Sequence, residues 1–251
     1  MRKLMYVFSF FAVFFSSCSN DDSSNPGFLL VKKATSENGS STYRYDGNKL
    51  VQVTINASDY VVNTYNGNLI TKTARYYADG TLLTETLYEY NANQKLISQK
   101  LLFHQNLGLD PTSQAFRRVF TYNPDNTLTY EEYSGTFQNQ TTLTHTGKMW
   151  LDSEGQTLKT EDYRNGYLFS TEEFTYDTEK TIFENAAGMQ KVPNSNSGFA
   201  KHNILTYKYY NSMGNLVNGF SNQMTFNAEG YPTEINMISL SGARNSVQFT
   251  Y

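Results

Sequence analysis

Stretches such as Arg118-Val-Phe-Thr-Tyr122 and Glu173-Phe-Thr-Tyr176 alternate polar and apolar positions. A period of two sets successive side chains on opposite faces of a β-strand. Such stretches run into a recurrent unit: an aromatic residue, then Asn or Asp, a variable middle, and Leu or Ile six positions after the aromatic. Copies begin at Tyr90, Tyr122, Tyr176 and Tyr210; shorter versions begin at Tyr45, Tyr65 and Tyr77, and looser ones at Leu151 and Phe226. The unit has the chemistry of a hairpin. The aromatic closes one strand, Asn or Asp bonds back to its own backbone, Gly or Asn accepts positive φ, and the aliphatic residue opens the next strand. No segment longer than about ten residues carries a 3.6-residue period, so almost no helix is expected beyond the N-terminal segment. The pattern predicts an all-β chain, an antiparallel meander of many hairpins forming a curved or partly closed sheet, built as a single domain over residues 28–251.

Composition agrees with this. The chain holds 20 Tyr and 17 Phe against a single Trp, and aromatic residues suit a pleated, half-buried surface. A net charge of -3 with 17% charged residues gives no basic footprint for nucleic acid and no long acidic tail.

The first residues follow a different pattern. Arg2 and Lys3 precede an apolar run from Leu4 to Phe15 that only Ser9 interrupts, and Ser16 and Ser17 lead into Cys18, the only cysteine. Positive start, apolar stretch and small residues are the grammar of an export signal. The run is shorter than the ~20 residues a spanning helix needs. Residues 1–17 are therefore expected to be a cleaved signal peptide.

The position of Cys18 resembles the lipobox of bacterial lipoproteins, with Phe15 in the place of the usual Leu. The resemblance implies that the Cys18 thiol carries the lipid and becomes the mature N-terminus, with residues 18–27 as a flexible tether. Asp21 and Asp22 shortly after it resemble the acidic export signal of Bacteroidetes-type lipoproteins, which implies display on the outer face of the outer membrane; the periplasmic face is the alternative. The Tyr-Asp and Tyr-Asn turns resemble the YD repeats of Rhs-type proteins. With the lipobox they are similar to the repeat-bearing outer-membrane lipoproteins of that group. This resemblance implies a twisted or curved β array and supplies no catalytic residue.

Candidate chemistry is sparse. His104, His145 and His202 lie far apart in sequence and lack metal-site spacing. No nucleophile elbow or phosphate-binding loop is present, so neither a metal nor a cofactor is expected. The acid pairs Glu131-Glu132, Glu161-Asp162 and Glu172-Glu173, with Glu85, fall at similar places after successive turns, as on the solvated face of a repeat. A glycan hydrolase built on Glu131, Glu161 and Glu172 is the enzymatic alternative. Longer connections at 104–115, 134–141 and 185–198 are where a β scaffold tends to place binding. Phe103, His104, Phe116, Phe137 and Phe199 in or beside them are the candidate ligand-binding residues. The expected function is a non-catalytic, lipid-anchored envelope module that binds a glycan, a peptide or a partner protein. A structural outer-membrane β-barrel, suggested by the alternating Val247-Gln-Phe-Thr-Tyr251, is the second alternative.

Overall fold

The computed structural model describes residues 28–105, 114–193 and 198–251. Cys18, the signal segment 1–17 and the tether 18–27 lie outside the described residues.

Sixteen strands follow one another. They are β1 (Lys33–Ser36), β2 (Gly39–Asp46), β3 (Lys49–Ile55), β4 (Asp59–Asn66), β5 (Leu69–Tyr77), β6 (Leu82–Tyr90), β7 (Leu96–Phe103) and β8 (Ala115–Tyr122). The second half comprises β9 (Thr127–Gly135), β10 (Gln140–Leu151), β11 (Thr157–Arg164), β12 (Tyr167–Tyr176), β13 (Ile204–Asn211), β14 (Leu216–Phe226), β15 (Pro232–Ser239) and β16 (Arg244–Thr250). Each pairs antiparallel with its sequence neighbours, as the meander requires. The only described helical element is a single 3-10 turn, Met189–Lys191.

The sheet is not curved or partly closed; it closes completely. β16 pairs with β1, Lys33 opposite Thr250 and Ser36 opposite Val247, and the ring becomes a barrel. Closure removes the two exposed edges that an open meander of this length would present, each a row of unpaired N–H and C=O groups.

The units beginning at Tyr45, Tyr65, Tyr77, Tyr90, Tyr122, Leu151, Tyr210 and Phe226 all fold as turns between neighbouring strands. Tyr176 to Ile182 does not. Asp177 Oδ1 accepts the backbone N–H groups of Glu179 (3.2 Å) and Asn203 (3.1 Å), so the acid ties the end of β12 to the start of β13, and the described residues 178–193 and 198–202 form a loop between them. That loop lies across the end of the barrel where β2 turns into β3. Ala187 N–H donates to Asn48 O (2.9 Å), Asn185 Nδ2 to Leu29 O (3.0 Å), and Thr157 and Phe199 pair through their backbones (2.8 Å). We call this the closed end; the opposite end is the open end.

Register fixes which face is which. Across β8 to β12, Phe120 stands opposite Tyr130, Tyr130 opposite Gly147, Gly147 opposite Asp162 and Asp162 opposite Ser170. This row points inward, where Leu96, Phe120, Leu128, Tyr130, Met149 and Phe199 form a buried cluster. A Cβ on Gly147 would fall within the Tyr130 ring, so glycine is what lets that ring lie flat against the next strand.

At the closed end, tyrosines of the hairpin unit and Tyr251 also point inward. Tyr65 donates its hydroxyl to Leu50 O (3.1 Å), Tyr90 to Ile70 O (2.8 Å), Tyr176 to Thr157 O (2.7 Å) and Tyr251 to Pro232 O (2.9 Å). Each acceptor belongs to a fully buried residue at or beside the start of the strand after the preceding closed-end turn. These four tyrosines therefore each tie the end of their strand to the strand before it. Burial pushes the Tyr65 and Tyr122 phenols up to about 12.

The face assignment is directly testable. Leu128→Ala, at an inward position with no exposure, is expected to cost about 2–5 kcal/mol. Thr129→Ala, on the outer face beside it, is expected to cost about 1 kcal/mol or less. Urea denaturation of both variants checks this.

Candidate functional site

Inside the barrel, between β6 and β13, is a cavity of about 680 Å³. Pro193 and Gly198 of the long loop line it towards the closed end. At the open end Arg164 and Phe169 line it, the guanidinium 3.4 Å from the ring centre, and Phe169 is 37% exposed. The cavity therefore meets solvent at that rim.

Its wall is an aromatic shell crossed by a polar band, and strand alternation explains both. Arg118 shares the inward face of β8 with Phe116 and Phe120; Glu132 shares that of β9 with Leu128 and Tyr130; Asp162 follows Thr160 on β11; Glu172 precedes Phe174 on β12. Arg118 Nη2 lies 2.7 Å from Glu132 Oε2, with the guanidinium 4.4 Å above the Tyr130 ring. His145 Nδ1 lies 3.1 Å from Glu132 Oε1, out of line for a hydrogen bond. Tyr130 donates its hydroxyl to Asp162 Oδ1 (3.1 Å), and Tyr207, packed between Phe174 and Phe220 at 5.3 Å from each, donates to Glu172 Oε1 (3.0 Å).

Burial raises the Glu172 carboxyl above the ordinary carboxylate range. The Tyr207 hydrogen bond opposes that rise and the charge of Asp162 adds to it. Burial likewise raises the Tyr130 phenol. Among the described residues no three His, Cys, Asp or Glu side chains converge as metal ligands.

The residues singled out from sequence do not form one platform. Phe103 and Phe116 meet edge to face at 6.1 Å on the inner face, and Phe116 lines the cavity. His104 and Phe137 meet at 4.9 Å on the outer face, where His104 Nε2 lies 2.9 Å from Glu85. Phe199 is 9% exposed and packs against Phe120 (6.1 Å) at the closed end. The acid pairs split as adjacent strand residues must. Glu131, Glu161 and Glu173 point outward, Glu132, Asp162 and Glu172 inward. They are thus only half a solvated face, and Glu131, Glu161 and Glu172 do not share a site. Arg118, Tyr130, Thr160 and Tyr207 are members of the cavity that the sequence did not single out, and His145, Glu132 and Asp162, read there as an isolated histidine and surface acids, line it as well.

No protein-family model matches the chain, and no curated protein matches it. Solved structures do. A porin-like protein from Bacteroides vulgatus aligns with a TM-score of 0.57 at 12% identity, covering 89% of this chain and 99% of that one. A porin-like protein from Bacteroides uniformis gives 0.36 at 13% identity over 84% and 76% of the two chains. A Bacteroides fragilis protein of unknown function gives 0.33 at 14% identity over 42% and 80%. The first shows a shared fold, a closed antiparallel barrel.

The raised Glu172 carboxyl carries a stability consequence. Its proton is held more tightly in the folded chain than in the unfolded one. Its contribution is therefore fully present below the ordinary glutamate value of about 4.3 and is lost as the pH rises through the folded-state value. Glu172→Gln keeps an acceptor for Tyr207 and removes the charge. The variant is expected to melt above the wild type at pH 7, with the gap closing towards pH 4.5. Thermal melts at the two pH values check this.

Proposed function

We propose that this chain is a water-facing β-barrel held at the bacterial outer membrane, and that it binds a small ligand in its interior cavity. The observation that carries the reading is the distribution of polar residues between the two faces. A barrel that spans a bilayer needs an outward apolar band about 25 Å tall with aromatic girdles, around a polar lumen. Here the outer face holds the Lys72–Glu85 ion pair (3.2 Å) and the Lys159–Glu161 pair (2.7 Å). Arg117 lies over Tyr133 (5.6 Å), and Lys148 and Lys159 flank Trp150 at 5.1 and 4.9 Å. Towards the closed end aromatic and aliphatic side chains pack the inside instead. Charged side chains towards lipid at mid-wall would cost about 2–4 kcal/mol for each Arg or Lys.

The likeness in fold to a Bacteroides porin-like protein supports an outer-membrane setting, and the sequence around Cys18 supplies a means of attachment that needs no lipid-facing wall. Phe28 to Lys32 enter β1 at the closed end, where Lys32 N–H bonds Thr250 O (2.7 Å). A lipid on Cys18 would therefore hold the closed end towards the membrane through a tether of at most ~35 Å, leaving the open rim and the cavity facing away.

Residues 26–251, expressed alone, are expected to be soluble and monomeric in buffer by size-exclusion chromatography with light scattering. A requirement for detergent would overturn the water-facing reading.

A further inference from the structure

Within the polar band, Thr160 and Asp162 follow one another on the inner face of β11, with Glu172 directly opposite Thr160 on β12. Two carboxylates thus flank one hydroxyl. Thr160 is 6% exposed, and among the described residues its Oγ1 has no hydrogen-bond partner, a position that costs stability unless something else fills it. Among the described residues neither Asp162 nor Glu172 has an ion-pair partner; each receives a tyrosine hydroxyl. The cations nearby are otherwise engaged: Arg118 is paired with Glu132 and Arg164 lies on the Phe169 ring.

Two neighbouring acids without a counter-charge in an aromatic-lined cavity favour a cation from outside. A divalent metal would find too few ligands here. A neutral polyol would leave both charges uncompensated. An ammonium group has three N–H donors and no acceptor, which matches two carboxylates and one orphaned hydroxyl oxygen.

We propose that Asp162, Thr160 and Glu172 bind the primary ammonium group of a small ligand. This deepens the reading of the cavity as a binding site and rests on it.

The test is isothermal titration of the full chain at pH 7 with glucosamine, 1,4-diaminobutane and glucose, paired with chemical-shift mapping of the glucosamine complex. The two amines are expected to bind and glucose to bind at least tenfold more weakly. Asp162→Asn and Glu172→Gln are each expected to weaken amine binding roughly tenfold or more. Glu131→Gln and Glu173→Gln, on the outer face, leave it unchanged and control for general loss of charge. Circular dichroism establishes that all four variants are folded. Glucose binding as tightly as glucosamine inside the barrel, unaffected by Glu172→Gln, would overturn the ammonium site and leave the cavity reading standing. No binding of either amine would overturn the ammonium site as well. Shifts confined to outer-wall residues would overturn both.

Discussion

Closure of this barrel is reinforced by tyrosines at its closed end that tie one hairpin to the one before it. A meander of sixteen strands has no sequence-local reason to bend into a ring, because each hairpin is satisfied by its own turn and its own ladder. The hydroxyls of Tyr65, Tyr90, Tyr176 and Tyr251 each add a bond to the preceding strand, on the inner face and at one end. Bonds of this kind contribute about 1 kcal/mol each. Their placement matters more than their sum, since all draw the closed end inwards around rings that are buried together. The loop between β12 and β13 then covers that end by bonding both to strand ends and to the side chains of Glu154, Gln156, Thr157 and Tyr231.

Once the aromatic face points inward, the rest of the molecule's chemistry follows. The outer face carries Lys, Arg and Glu side chains that lie along the sheet in ion pairs and over Tyr133 and Trp150, with single exposed aliphatics such as Leu143 and Leu168 among them. Any polar residue at inward parity is carried into a low-dielectric interior. Arg118, Glu132, Asp162 and Glu172 are in that position, held by Tyr130 and Tyr207 hydroxyls and by one arginine. Such a band weakens a core unless a ligand uses it.

Much of this was legible in the sequence, and the failures have physical causes. Period-two alternation and the Tyr-Asn units marked hairpins because both are local. The unit at Tyr176 misled because its Asp177 bonds to Asn203, a partner that no local pattern reveals. Closure entered the sequence reading only through the barrel alternative suggested by Val247–Tyr251, because residues 33–36 and 247–250 meet from opposite ends of the chain. The candidate aromatics beside the long connections scattered because proximity to a loop says nothing about which face a residue occupies. The interior acids were hidden by their own pairing, since Glu131-Glu132 reads as a charged surface. Parity held the missing signal: Glu132 alternates in step with Leu128 and Tyr130, and Arg118 with Phe120 and Tyr122.

The central claim is that the walls of this barrel face water. Trp150, the only tryptophan in the chain, stands on the outer face of β10 between Lys148 and Lys159 and reports on that wall without interference from another indole. Its fluorescence in the full-length protein, reconstituted in vesicles containing brominated lipids, is the most direct measurement. Quenching by aqueous acrylamide with no response to the brominated chains is the predicted result; a blue-shifted emission quenched by bromine at mid-bilayer depth would contradict it.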